Sequence, residues 1–429
     1  MRSTRLLLTL AASSLLTLTL AGCPIPEGSS SPGGKTTPGG SSGVTPGKSG
    51  ALDATFGDDG IVTTDFTEGK SDFAMALALQ PDGKIVAGGT TSAPSPSYTV
   101  GTFALIRYQA NGEPDAGFGT VGRVFTAQGS TAQGRAVAVA GDGTIVTGGW
   151  MQGSGFAMDF LMSRHLANGK LDDSFGTGGH ATAGYGGATG NALALQADGK
   201  ILFAGYNGLL EYKPIVLRYA ANGTLDPAFD GDGKLQLDWG SDDDQAEAIA
   251  VRDGKILVAG SAGAKGFALS RLNMDGSLDT SFGTNGTVTL AAGDSLAEAM
   301  AVAPDGAIVL AGGKHVVRIT PGGALDESFG EDGIVQLPDH ALRAVAVQSD
   351  GKVLVTGGKS DKVVLVRLKA NGAVDSGFAA QGTALEAVPG GIAEAYAIVI
   401  QPDGRIVVAG RALDGEAGDD DFMLMRFWP

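Results

Sequence analysis

Arginine and aspartate recur in this sequence at matched positions. Arg107, Arg164, Arg218, Arg271, Arg318, Arg367 and Arg426 each stand inside an apolar run. Asp53, Asp115, Asp172, Asp226, Asp279, Asp326 and Asp375 each open a short loop motif. Such an array of opposite charges could build an acid–base or anion-binding site. Repetition argues against that: chemistry needs one copy of a site, whereas an element present in every unit serves the architecture. Strand alternation puts Arg107 on the same face as Phe103 and Leu105. A guanidinium in apolar surroundings needs a carboxylate partner. The loop Asp is the candidate in each unit, so these residues read as structural ion pairs.

The remaining chemistry-bearing residues form no known grammar. The four histidines, His165, His180, His315 and His340, fall in different repeat units and share no spacing. No HExxH pair and no G-x-S-x-G elbow occurs. Gly-Lys-Ser/Thr begins at Gly34, Gly47, Gly69 and Gly358, without the upstream Gly that a phosphate-cradling loop requires. One cysteine excludes a disulfide framework and a Cys-rich zinc site. Two acidic clusters, Asp242–Asp243–Asp244–Glu247 and Asp414–Glu416–Asp419–Asp420–Asp421, carry oxygen ligands of the kind Ca²⁺ takes. Neither follows the spacing of a Ca²⁺ loop, so both read as solvated loops. No catalytic residue, metal site or cofactor is expected, with Ca²⁺ the one ion left open. A net charge of -16 argues against nucleic acid as a partner, since phosphate binding needs clustered Lys and Arg.

The elements that carry these residues are written seven times. "LDATFGDDG" at Leu52 returns at Pro114, Leu171, Leu225, Leu278, Leu325 and Val374. An Asp-Gly pair follows at 82, 142, 198, 253, 305, 350 and 403, and then the Arg. The period is about 53 residues. In each unit "AMALALQ", "PDG" and "KIVAGGT" read as a hairpin, Asp-Gly supplying the positive φ angles of a tight type I′ turn. "FALIRY" is a third strand and "RVFT" a fourth. No window sustains a helical period. Four short strands per unit fit a propeller blade; a β-helix is the alternative, with coils usually shorter than these. The repeats begin with a lone fourth strand, Ile61 to Phe66, and end with a third strand at Phe422. The expected fold is therefore an all-β, seven-bladed β-propeller over residues 51–429, its N-terminal strand completing the last blade and leaving no open edge.

First strands such as "AVAVA" at Ala136 and "AMAVA" at Ala299 use small residues, as a narrow axis demands. The "PDGK" and "LDxxFG" loops share one face, and the loops of unequal length share the other. That variable face collects Tyr98, Trp150, Phe156, Tyr206, Tyr212 and Trp239. Exposed aromatics on a rigid scaffold are good anchors for a protein or a glycan. The leading expectation is a binding or scaffolding propeller. The alternative is a glycan hydrolase or lyase whose carboxylates come from several blades.

The N-terminus reads as an address and a tether. Arg2 and Arg5 precede an apolar stretch, Leu6 to Leu20, and then Leu20-Ala21-Gly22-Cys23. Residues 1–22 have the pattern of a secretory signal. "LAGC" with the chain's single cysteine resembles the bacterial lipoprotein box, which implies diacylglycerol on Cys23. Pro24 after it, in place of Asp, resembles an outer-membrane lipoprotein of the cell envelope. Pro24 to Gly50 has 22 Gly, Ser, Pro or Thr in 27 residues, the composition of a disordered linker. As a coil it would span roughly 30 Å. The three repeat markers resemble the delta-60 repeat family over about residues 51–429, with Pro114 and Val374 in place of Leu and Asp230 and Ala379 in place of Gly. This resemblance implies a propeller in an envelope or secreted setting, and supplies no catalytic residues.

Overall fold

The computed structural model describes residues 47–429 apart from 67–69, 94–99, 154–156, 209, 292–295, 389–390 and 414–417. Its strands form seven four-stranded antiparallel sheets. The innermost strands are Asp72–Leu79, Thr131–Val139, Thr189–Leu195, Asp244–Arg252, Ala299–Val302, Ala341–Val347 and Ala393–Ile400, in blades 1 to 7. Blade 7 takes its outermost strand, Ile61–Thr64, from the other end of the chain. That strand pairs with Asp420–Phe427 in the register Ile61↔Met425 to Thr64↔Phe422.

The core sits between blades. Each of the seven interfaces holds its own cluster of buried aliphatic and aromatic side chains. Phe56, Phe118, Phe175, Phe229, Phe282, Phe329 and Phe378, the loop phenylalanines, are fully buried. Both faces of the inner strands are covered, so these strands are near-continuous apolar runs.

Two local features depart from the sequence reading. The Asp-Gly hairpins are type I′ only in blade 4, where Asp253 and Gly254 both have positive φ and Arg252 faces Lys255. Elsewhere the turn is one residue longer. In blade 1, Gln80 N–H bonds Lys84 O, and only Gly83 is left-handed. The fold also takes up the chain earlier than composition suggests. Gly50 N–H donates to Trp428 O and Trp428 N–H to Ala51 O, both at 2.9 Å. Residues 47–50 thus belong to the folded body and not to the linker. Small residues suit this stretch because it lies flat against blades 6 and 7.

Candidate functional site

The seven arginines and seven aspartates form one lock per blade. Nε of each Arg lies 2.8 to 3.2 Å from the Asp carboxylate. Six of the guanidinium groups also stack 4.5 to 4.8 Å from the ring centroid of the loop Phe. Each lock then reaches its neighbour. Arg107, Arg164, Arg218, Arg271, Arg318 and Arg426 donate to Ala167, Ala221, Met274, Pro321, Ala370 and Ala110 carbonyls of the next blade. In blade 6 the neighbour is the N-terminal segment, where Arg367 Nη2 meets Ser49 Oγ at 3.2 Å. Burial works against the Asp53 charge, but Thr55, Arg426 and Arg405 outweigh it and hold the carboxyl below the usual range. These groups are occupied chiefly by one another and by backbone carbonyls, which marks them as part of the fold and not as a ligand site.

A second ring has no such uniformity. In six blades the innermost strand carries a β-bulge at an equivalent position, between Ala74/Ala76, Gly134/Ala136, Gly190/Ala192, Ala246/Ala248, Leu342/Ala344 and Ala395/Ala397. A bulge re-aims the extra side chain. The facing strand always has glycine there: Gly89, Gly149, Gly205, Gly260, Gly312, Gly357 and Gly410, blade 5 included. A Cβ at any of them would collide with a carbonyl of the innermost strand or, at Gly312, with that of Leu296 just before it. The geometry is thus common to the blades, but the occupants differ: Met75, Arg135, Asn191, Glu247, Arg343 and Tyr396, with Glu298 at the matching place in blade 5. These residues make an axial belt, and all but Arg343 are buried.

On blades 5 to 7 the belt is a charge chain. Arg343 Nη1 meets both Glu298 oxygens at 2.6 and 2.7 Å, and its Nε donates to Glu394 at 3.1 Å. Tyr396 OH donates to Glu394 at 3.0 Å. Arg411 sits 3.6 Å from Glu394 and 3.4 Å from Asp420. Burial pushes Glu298 up to about 7; Arg343 opposes this and Glu394 adds to it. On blades 2 to 4, Asn191 Nδ2 donates to Ala246 O at 3.0 Å. Burial raises the Tyr206 phenol; Glu247 raises it further, while Thr189 and Arg135 lower it. Those groups therefore converge on Tyr206.

Of the aromatics assigned to the variable face, Tyr206 and Tyr212 come together edge to face at 5.2 Å, and Trp150 is half-buried near the end of its strand. Leu210, at the tip of the same loop as Tyr212, is 96% exposed. Trp239 is not on the surface: it is 5% exposed, and its Nε1 donates to Ser270 Oγ at 2.9 Å. The turn before blade 4 folds inward, because Asp244 accepts the Trp239 amide at 2.8 Å. Tyr98, Phe156 and Cys23 lie outside the described residues. The acidic clusters are not simply solvated: Asp244 and Glu247 are fully buried, and Asp420 faces Arg411. Asp65, Asp72 and Asp421 bring oxygens within 4.8 Å of one another. Asp72 already accepts Phe66 N–H and the Thr91 hydroxyl.

Although they fall in different sequence repeats, His165 and His180 share blade 2. His165 Nε2 lies 2.9 Å from Thr126 Oγ1 and His180 Nδ1 2.8 Å from Ser163 Oγ. They line a groove of about 540 Å³ at the rim between blades 1 and 2. Burial, with His180 alongside, pushes His165 down to about 4. The equivalent contact in blade 1 is Tyr108 OH to Thr64 Oγ1 at 2.8 Å, so His165 substitutes for a blade-to-blade hydrogen bond. A larger cavity of about 1170 Å³ opens on the turn face between blades 2, 3 and 4, lined by Val139, Leu195 and Val251 among others.

Five segments, residues 80–118, 196–229, 252–282, 348–378 and 401–429, match the model of a family described as a domain of unknown function (DUF5122) beta-propeller. Those segments are similar to that family's repeats, in keeping with the propeller seen in the structure. Every matched segment begins five positions beyond a belt residue: Met75, Asn191, Glu247, Arg343 and Tyr396. No curated protein matches the sequence. Among solved structures, the chain is similar to U3-55K, with a TM-score of 0.52 and 12% identity over 85% of this chain and 98% of that one. It is also similar to the RRP9 WD40 repeats, with a TM-score of 0.52 and 12% identity over 89% and 99%. Identities this low show the propeller fold alone.

Proposed function

We propose that this protein is a lipid-anchored binding propeller of the cell envelope, held to a membrane through Cys23 and engaging its partner with the variable face. One observation supports the reading: residues 47–51, where the chain enters the body, pack on the turn face, away from the loops of unequal length. Residues 47–51 pack on Trp428, over which Arg405 of the blade 7 turn stacks at 4.5 Å. The chain thus leaves the body on the turn face. The half-buried aromatics and the belt's unlike residues open the other way. A membrane anchor on that tether turns Trp150, Tyr206, Tyr212 and Leu210 outward.

Two measurements test the reading. Cys23→Ser should move the full chain from the detergent phase to the aqueous phase with its melting temperature unchanged; continued partitioning with detergent overturns the anchor. A photo-crosslinking residue placed at Trp150 or Tyr212 in intact envelopes should give adducts, and one at Asp82 or Asp198 in the turns should not. The reverse pattern overturns the assignment of the face.

A further inference from the structure

We infer that the axial belt on blades 2 to 4 is a binding site for a neutral, hydroxyl-rich ligand, the end of a saccharide chain; this rests on the proposed binding face and names its ligand. The seven blades act as internal controls for one another. Their locks, turns and bulge glycines repeat, so those features explain themselves as architecture. The residue that each bulge aims at the axis does not repeat, and architecture alone gives no reason for Arg135, Asn191, Glu247 and Tyr396 to replace one another.

Asn191 points to a ligand directly. It is 1% exposed and anchored through Nδ2 to Ala246 O. Its Oδ1 meets no donor among the described residues. A buried amide oxygen without a donor costs free energy that a bound hydroxyl would restore. Asn191 sits in the bulge that follows the Thr189↔Tyr206 and Gly190↔Gly205 pairs, and Arg135 and Glu247 both act on the Tyr206 phenol, so this end of the belt carries donors and acceptors together.

The chemistry of this set selects the ligand class. On blades 2 to 4 the belt carries one cation and one anion, Arg135 and Glu247. An ion of either sign would enter without a net countercharge and lose its hydration. A sugar hydroxyl both donates and accepts, which suits planar Asn, Arg and Glu groups set side by side. Tyr206 and Tyr212 supply apolar ring surface on the wall above. On blades 2 to 4 the wall beside the belt meets solvent at Tyr206 and Asn207, which are half-buried at the end of their strand.

The test uses the full chain in detergent and a set of probes: glucose, N-acetylglucosamine, their β-1,4-linked dimers and trimers, and, as charged controls, inorganic phosphate and spermidine. Binding is read by titration calorimetry and thermal shift. At least one neutral saccharide should bind, and Asn191→Leu should weaken it roughly tenfold, the scale of one lost hydrogen bond. Tyr206→Phe removes only a hydroxyl, so it keeps the test sound if the Leu variant misfolds; it should weaken binding in the same direction. Saccharide binding indifferent to both variants overturns the site. Binding of phosphate or spermidine in place of the sugars overturns the ligand class. If no sugar binds while crosslinks still form at Trp150 and Tyr212, this inference falls and the binding face stands. If neither occurs, both fall.

Discussion

Arg426 and Asp53 stand 373 positions apart and meet at 2.9 Å, the same Nε–carboxylate pair that every other blade makes at 2.8 to 3.2 Å between residues eight apart. The lock of blade 7 is therefore also the join between the chain's ends. Asp53 is fully buried and takes a second guanidinium, Arg405, at 2.7 Å.

Removing Asp53 strands both cations. Asp53→Ala should cost about 3–5 kcal/mol, the usual range for breaking a buried pair by deleting one partner. Asp226→Ala, within one blade, should cost less. Urea denaturation of both variants checks this, and equal losses count against a special role for the join.

Acid should unlock the blades together. Asp53, Asp115, Asp172, Asp226 and Asp279 all have carboxyls held below the usual range. A depressed folded-state value gives stability that is present above the unfolded value and lost as pH falls through the folded one. Melting temperature should therefore drop progressively below about pH 4, in one cooperative transition by circular dichroism. A flat profile down to pH 2 contradicts the locks as a source of stability.

Glu298 has the opposite sign. Burial lifts it to about 7, so its contribution is full below the unfolded value near 4.5 and fades as pH rises through 7. The groups facing it are Arg343 and, beyond, Glu394. The urea midpoint of the native protein should fall between pH 5 and pH 8, and Glu298→Gln should flatten that slope. A native slope of zero, or one unchanged in the Gln variant, removes Glu298 as its cause.

Trp239 belongs to stability and not to recognition. Trp239→Ala should cost about 3–5 kcal/mol, as for other large-to-small core changes. Trp239→Phe should keep ligand binding intact, whereas Trp150→Ala should weaken it. Loss of binding in a folded Trp239→Phe variant returns that residue to the recognition face.

How far the sequence could be read depends on what repeats. Asp, Phe and Arg recur in register, so comparison of the chain with itself reveals blades, locks and the borrowed strand. The belt is hidden from that comparison because its signal is disagreement at one position, amid agreement, and because only the bulge opposite Gly205 or Gly260 turns a side chain to the axis. Trp239 lies in a turn by sequence, and a turn does not state which way its side chain falls; the Asp244 carboxylate decides it. Ser49 and Gly50 have linker composition, yet backbone hydrogen bonds ignore composition. His165 and His180 are 15 positions apart in separate repeat copies, while the blade boundary falls between copies and joins them.

The borrowed strand also sets an order in time. Ile61–Thr64 is among the first parts of the folded body to be synthesised, and its partner, Asp420–Phe427, is the last. At a synthesis rate of about 5–20 residues per second, that edge waits on the order of twenty seconds to a minute or more for its mate. Until then no lock exists at Arg426, Ser49 has no blade to complete, and six finished blades still cannot close. Closure of the ring therefore waits for Asp420–Phe427, and a variant lacking that strand leaves Ile61–Thr64 without its partner.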